Sequence, residues 1–276
     1  FQGRQDIQNR IIRVLHDLSF IDDPTRMLRA VRFEQRFGFK IESHTLSLLQ
    51  QACGQKMLEE VHKHRLRDEF ILILKEPQAL KCLKRMQELC GFDFICPGFC
   101  FTQAQFKRIE AVSQAYHWYQ EHCAHKHKLE LWLLYLMVIL EGLEIGQLKN
   151  TLKEFAFHKR ECDKVISFKT DIPKLIPHLE TAASPSHIYK ILFPLSYEAV
   201  VLVLLEADSP ELKAKVKDYL QHYSRVQIHL KGEDLKGLGI VPGPRFQEIL
   251  KRLLYARLDG KFKDREGELD YLKEIL

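Results

Sequence analysis

Glycine and proline are scarce, with 13 and 10 residues in a chain of 276. A fold of many short strands needs more turn-forming residues than that, so long helices are expected. No CxxC pair occurs among the seven cysteines (Cys53, Cys82, Cys90, Cys96, Cys100, Cys123 and Cys162), and their number is odd. Reduced thiols in a cytosolic protein are therefore expected. Long apolar runs are also missing. Leu129 to Leu140 is the most apolar stretch, but it contains Glu130 and spans only about a dozen residues. A bilayer-crossing helix needs about 20, so this reads as a buried core helix and no membrane partner is expected. Neither sign of charge dominates, since 42 Lys and Arg against 37 Asp and Glu leave a net +5. That balance permits a nucleic-acid partner without demanding one. The chain opens on Phe1-Gln2-Gly3-Arg4 with no initiator methionine and no signal peptide, and reads as a cut inside a longer protein.

What is present is an ordinary globular composition, 46% hydrophobic and 29% charged, which excludes a disordered chain. Ile7, Ile11, Ile12, Leu15 and Leu18 have helical spacing and predict a helix over 5–18. Asp22-Asp23-Pro24 then marks a new helix start: Asp offers the cap oxygen, and Pro loses nothing in a first turn. That helix should run to Phe37 and stop at Gly38. Helices are expected over 42–53, 57–75 (broken by Glu76-Pro77) and 78–90 (ended by Gly91). The segment 92–101, with Pro97, Gly98 and several aromatics, reads as an irregular connection and subdomain boundary. Further helices are expected at about 102–122, 129–141, 145–156, 159–169, 185–193, 196–206 and 209–223. Ser184-Pro185 and Asp208-Ser209-Pro210 punctuate this run. Gly237, Gly239 and Pro242-Gly243-Pro244 predict a tight turn before a helix to Leu258, with a last helix over 264–276. With no repeat and no run of strands, the predicted class is all-α.

Arg26, Arg29, Arg32 and Arg36 fall within an arc of about 120° on the helix that starts after Pro24. On spacing alone this is a capped amphipathic helix with solvated arginines. Base chemistry offers a sharper alternative. Cytosine and adenine each present an amino donor beside an acceptor on the pairing edge, whereas uracil and guanine present the opposite order. A carboxylate and a guanidinium side by side satisfy the first pair and mispair the second, and a bidentate match discriminates by about 1–3 kcal/mol. Asp23 and Arg26, three residues apart at a helix start, can be such neighbours.

The run Asp22-Asp23-Pro24-Thr25-Arg26-Met27-Leu28-Arg29-Ala30-Val31-Arg32-Phe33 resembles the nucleotide-selecting motif of the class II tRNA nucleotidyltransferase and bacterial poly(A) polymerase family. That motif usually reads Glu-Asp-x-x-Arg leading into Leu-Arg-Ala-x-Arg-Phe, so Asp22 is a conservative departure. The resemblance implies that Asp23 and Arg26 read the incoming base, that Asp22 helps hold them, and that Arg29 and Arg32 contact nucleotide or brace the helix. Gly3, Asp6, Ile7 and Ile12-Arg13 resemble the end of the family's hinge motif. Arg65 and Glu69 resemble its supporting motif, an Arg and a Glu one turn apart that brace the template helix; by spacing alone they are an ordinary surface ion pair. Lys231-Gly232-Glu233-Asp234-Leu235, Leu238-Gly239, Pro242-Gly243-Pro244, Ile249-Leu250 and Leu258-Asp259-Gly260 resemble the tail of longer bacterial members. There Gly243, Pro244 and Arg245 would meet an RNA phosphate at a helix start, or form a plain turn.

By the resemblance, residues 1–91 are a neck carrying the template helix, 92–224 a helical body and 225–276 a tRNA-binding tail of an elongated, cytoplasmic protein. ATP and CTP would be the substrates and tRNA the partner. The family holds Mg²⁺ on paired carboxylates of a head domain, near a Gly-Ser or Gly-Gly turn. No Asp-x-Asp, Gly-Ser or Arg-Arg-Asp element occurs here. The head is therefore expected to be a missing part of the same protein, with no catalytic or metal residue in this chain and no transfer by it alone. The alternatives are a template-independent poly(A) polymerase fragment or a non-catalytic helical RNA-binding scaffold.

Other clusters have milder readings. His117, His122, Cys123, His125 and His127 lack the paired spacing of a zinc site. Cys90, Cys96 and Cys100 read as core or loop residues, and Lys126-His127-Lys128 with Lys213, Lys215 and Lys217 as solvated faces. Trp132 and Tyr135 belong in the core. No nucleophile elbow occurs.

Overall fold

The computed structural model describes residues 2–123, 127–207, 209–241 and 243–276. Phe1, His125, Lys126, Asp208 and Pro242, named above, lie outside the described residues. In chain order the elements are α1 (Gly3–Gln8), β1 (Ile11–Ile12), α2 (Ser19–Asp22), α3 (Thr25–Phe37), β2 (Lys40–Ile41), α4 (Ser43–Gly54), α5 (Lys63–Leu74), α6 (Ala79–Leu89), α7 (Gln103–Cys123), α8 (Leu131–Leu140) and α9 (Ile145–Glu154). Then follow α10 (Lys159–Thr181), α11 (Pro185–Leu192), α12 (Tyr197–Glu206), α13 (Pro210–Gln221), a 3₁₀ turn (Tyr223–Arg225), α14 (Gly232–Gly237), α15 (Pro244–Leu258) and α16 (Arg265–Ile275). The class is all-α. The chain divides into two compact units: Phe1–Tyr116 with Leu129–Lys169, and His117–Lys128 with Thr170–Leu276.

The first unit is built around α3. Met27, Leu28 and Val31 are fully buried, and α3 packs on both α5 and α6. Its start is local chemistry: the Asp23 Oδ1 accepts from the Thr25 amide (3.2 Å) and hydroxyl (2.7 Å). Its end is equally local, with Gly38 in the left-handed region at φ 63° and the Phe39 amide donating back to the Glu34 carbonyl at 3.0 Å. The connection over 92–101 is irregular as expected, yet it is filled. Phe92 meets Phe101 edge-on at 4.6 Å and contacts Phe70 and Phe94, so an aromatic plug sits below α5.

Four expectations need correction. Residues 5–18 are not one helix. The backbone leaves α1 after Gln8, and Arg10 takes φ 56°. Ile11–Ile12 then pair in parallel with Lys40–Ile41, with the Lys40 amide on the Arg10 carbonyl (2.9 Å) and the Glu42 amide on the Ile12 carbonyl (3.0 Å). Ladder partners 29 residues away override the helical spacing, and Ile7, Leu15 and Leu18 are left exposed. The helix expected from 57 starts only at Lys63, because Lys56 turns the chain at φ 58° and Leu58 and Val61 are buried as a turn. The helix expected over 159–169 continues to Thr181 through Pro173 and Pro177. Each proline removes one ladder donor, but Ile172 and Leu179 stay buried along that stretch. Finally, the thiols are not all reduced. Cys53 at the end of α4 and Cys90 at the end of α6 form a disulfide with Cα atoms 5.1 Å apart. The packing of α4 against α6 makes that meeting, which a separation of 37 residues hides from the sequence. Cys82 and Cys123 are buried free thiols, and burial pushes Cys82 up to about 12.

Among the described residues no single helix is long and apolar enough to cross a membrane. Nine consecutive residues of α8, Trp132 to Leu140 with Tyr135 among them, are buried, as a core helix requires. In the second unit, Leu230, Leu235, Ile249, Leu253 and Leu272 form a core of their own. Glu268, wholly buried beside it, accepts from the amides of His229 (2.9 Å) and Leu230 (3.1 Å). Asp259, named above within the tail resemblance, accepts from the Ser186 amide (2.9 Å) and hydroxyl (2.7 Å) in the first turn of α11.

The cap of α4 carries a pH dependence. Glu42 accepts from the Thr45 amide at 2.9 Å and the Thr45 hydroxyl at 3.0 Å. The amides of Thr45 and His44 bring its carboxyl from the usual 4.5 down to about 2, with burial opposing and Arg13 adding a little. The folded pKa lies below the unfolded one, so the contribution is full above about pH 4.5 and is lost as pH falls toward about 2. Glu42→Gln should lower Tm slightly at pH 7, and its gap to wild type should close across that window. Thermal melts at stepped pH read this; a gap constant from pH 6 to below about 2 contradicts a charged cap.

Candidate functional site

The motif residues gather on α3 and on the helix that braces it. Asp23 is one-fifth exposed at 21%. Its Oδ1 takes both Thr25 donors and also the Arg65 Nη2 at 3.0 Å. The second carboxylate oxygen has no partner among the described residues. Burial alone would raise the Asp23 pKa; the Thr25 hydroxyl, Arg65, the Thr25 amide and Arg26 together outweigh it and hold the carboxyl below the ordinary aspartate value. Asp23 is thus an anion at neutral pH with one oxygen unused. Arg26 donates Nη1 to the Ser19 carbonyl at 3.2 Å, and among the described residues its other nitrogens have no partner. An unused acceptor and unused donors, three residues apart on one helix start, can address a planar partner with a donor beside an acceptor.

Arg26 and Arg29 line a cavity of about 400 Å³ whose walls include Arg13, His16, Phe20 and Phe33. Arg29 is exposed. Arg32 is not part of the same surface. Its side chain is 9% exposed and turns inward, with Nη2 3.4 Å from Glu69 Oε2 and Nη1 3.5 Å from Glu76 Oε1. Arg36 also reaches Glu76 Oε1, at 3.4 Å. The expected four-arginine stripe is therefore split: Arg32 lies at the edge of the arc, where α5 covers it. Asp22 is exposed; its ion pair among the described residues is with His16 at 3.6 Å, and it makes no bond to Asp23 or Arg26.

Arg65 and Glu69 do not pair with each other. One turn apart on α5, Arg65 reaches Asp23 and Glu69 reaches Arg32. Glu76 was readable only as half of a helix breaker, yet it accepts from two arginines of α3. Glu34, buried on the far side of α3, takes Arg85 of α6 through Nε (2.9 Å) and Nη2 (3.4 Å). For Glu34 the only local signal is its separation from the motif arginines on the helix wheel, which names no partner, and Glu76 shares no helix with them.

Elsewhere the picture differs. Gly243 precedes α15 without a side-chain cap, Pro244 fills its first turn, and Gly243, Pro244 and Arg245 are exposed in the second unit. Among the described residues no group of three or more His, Cys, Asp or Glu could hold a metal ion. His122 stacks on Trp118 at 5.2 Å and His127 on Tyr197 at 4.0 Å. Lys215 and Lys217 are not simple solvated residues: Lys215 caps the carbonyls of Leu179 (3.1 Å) and Glu180 (2.6 Å), and Lys217 lies 5.0 Å over Trp118.

Residues 38–101 match the family described as "Probable RNA and SrmB- binding site of polymerase A". That stretch holds Arg65, Glu69 and Glu76 and begins where α3 ends. Over 275 residues the chain is 32% identical to an A-adding tRNA nucleotidyltransferase of Geobacter sulfurreducens, covering 98% of the chain and 31% of that protein. An A-adding tRNA nucleotidyltransferase of Halalkalibacterium halodurans is 28% identical, with 100% of the chain and 61% of that protein covered. Among solved structures, a Thermotoga maritima CCA-adding enzyme complexed with tRNA superimposes with a TM-score of 0.80 at 30% identity, covering 100% of the chain and 66% of its own. A CCA-adding enzyme complexed with CTP gives a TM-score of 0.79 at 30% identity, with 100% and 65% covered. The chain thus spans from about a third to about two thirds of the proteins it matches.

The two bracing contacts differ in worth. Glu69 compensates a guanidinium that is 9% exposed, whereas Arg65 is 47% exposed and screened by water. Glu69→Gln should destabilise by about 1–3 kcal/mol, and Arg65→Ala by less than about 1 kcal/mol. Urea denaturation of the two variants measures both; equal losses, or the reverse order, contradict a buried brace at Arg32.

Proposed function

We propose that this chain belongs to the tRNA nucleotidyltransferase and poly(A) polymerase family and is the nucleotide-selecting and RNA-gripping portion of an enzyme that adds A, C or both to the tRNA 3′ end from ATP and CTP. The observation that carries this is the free edge at the start of α3. The unused Asp23 oxygen accepts the amino group of cytosine or adenine, and the unused Arg26 nitrogens donate to the adjacent ring acceptor. Arg65 and Thr25 hold the carboxylate ionised and oriented, and Ser19 fixes one side of the guanidinium. Uracil and guanine would set acceptor against acceptor at Asp23, a mismatch of about 1–3 kcal/mol per base. Arg29, which lines a cavity together with Arg26, supplies positive charge for the phosphates of the bound nucleotide.

Gly243, Pro244 and Arg245 at the start of α15 are assigned to an RNA phosphate contact. The resemblance calls for Mg²⁺ on paired carboxylates. The carboxylates that would bind it, and the transfer itself, are assigned to a head domain in the part of the protein that the relatives have beyond the span matched here. A cytoplasmic location goes with a tRNA substrate. The description of the matched family as part of polymerase A favours a second reading, template-independent poly(A) addition; activity on a tRNA acceptor against generic RNA separates the two.

In the intact enzyme, the double substitution Asp23→Arg with Arg26→Asp should move base preference from C and A toward U and G. Competition between labelled nucleotides reads this, and an unchanged preference removes the template role and favours a helical scaffold. The 276-residue chain, mixed with Mg²⁺, labelled ATP and a tRNA ending in CC, should retain the tRNA without incorporating label. Incorporation would overturn the assignment of transfer to another part of the protein.

A further inference from the structure

A second cavity lies farther along α3, and we infer that it is a phosphate-binding site that takes the backbone of RNA. It has a volume of about 320 Å³ and is lined by Arg32, Arg36, Leu72, Lys75, Glu76, Pro77 and Gln78. Three cationic side chains therefore face one carboxylate. That carboxylate is oversubscribed, since Glu76 Oε1 alone receives both Arg32 (3.5 Å) and Arg36 (3.4 Å), distances at the long limit for such bonds. Lys75 has no carboxylate at all among the described residues, its ammonium lying 5.7 Å over the Trp132 ring.

Two further observations point to an anion. Arg32 is more than nine-tenths buried, at 8% exposure, and its Nε has no hydrogen-bond partner. Its Nη1 and Nη2 reach Glu76 and Glu69, but the buried Nε–H has no acceptor, a cost that an anionic ligand in the cavity would relieve. The 11-residue helix α6 also starts at this cavity, with Gln78 as its cap residue and no side-chain cap bond. The positive end of a helix and its amide donors favour a phosphate oxygen there. Side-chain cations from α3 and the end of α5 thus converge with the start of α6 on one open cavity.

The site is separate from the Asp23 and Arg26 edge. Ten residues of helix, about 15 Å at 1.5 Å per residue, divide Arg26 from Arg36. Choosing RNA as the carrier of the phosphate rests on the function proposed above; the phosphate chemistry itself does not.

The test uses Arg36→Gln with Lys75→Gln, which leaves Asp23, Arg26 and the Arg32 brace in place, and three probes: inorganic phosphate, ATP and a single-stranded RNA. Phosphate should shift the backbone amide resonances of Gln78, Ala79 and Leu80 in the wild type and leave them unmoved in the double variant. RNA should produce the same shifts at lower concentration than ATP. The slope of log affinity for RNA against log salt should fall by about 1–2 in the variant, about one for each cation removed. Amides that ignore phosphate, or that respond equally in the variant, overturn the site. Shifts reproduced by ATP at lower concentration than RNA, or an unchanged salt slope, overturn the RNA assignment. If the wild type binds no RNA, the preceding proposal fails with it, and the phosphate titration still decides whether the site exists.

Discussion

A buried guanidinium sets the arrangement of the first unit. The Arg32 side chain is 9% exposed, and a guanidinium buried that far needs acceptors; breaking a buried ion pair costs roughly 3–5 kcal/mol. Glu69 on α5 and Glu76 just beyond it supply those acceptors. The pairs Asp23–Arg65, Arg32–Glu69 and Arg36–Glu76 run in the same order along α3 and α5. Once Arg32 is placed between its glutamates, α3 has one register against α5, and Arg65 arrives beside Asp23. A one-turn slip would separate every pair.

That register divides labour along a single helix. Asp23 and Arg26 at its start are partly exposed, fixed on one side and unsatisfied on the other. Arg32 in its middle is structural. Arg36 near its end shares a carboxylate and faces a cavity. Each side chain does what its exposure permits: screened pairs contribute little to stability but stay available to ligands, and buried pairs hold geometry. The disulfide between Cys53 and Cys90 lies close by, with the Cys53 sulfur 3.8 Å from the Met27 sulfur, so the ends of α4 and α6 are tied beside the core face of α3.

The second unit uses carboxylates differently. Glu268 is wholly buried and is satisfied mainly by backbone amides, with Arg257 4.0 Å away. Asp259 and Ser184 both serve the first turn of α11, where unpaired amides collect. Asp259 and Glu268 join segments 73 and 38–39 residues apart in sequence.

The sequence by itself determined what depends on neighbours within a turn or two. The Asp23-Pro24 start, the Gly38 stop, the apolar helix α8 and the all-α class follow from caps, left-handed glycine and periodicity, all of which act locally. The motif around Asp23 and Arg26 was legible for the same reason, since both lie on one helix start. Tertiary structure alone decided the rest. Ile11–Ile12 pair with Lys40–Ile41, a partner no local pattern announces. Arg32 sits at the edge of its arc, so only the position of α5 turns it inward. Glu76 becomes an acceptor for two arginines about forty residues upstream, and Cys53 meets Cys90 across 37 residues. Spacing along the chain specifies which residues share a helix face, but the direction that face takes depends on which distant surface buries the most apolar area and pairs the most charge.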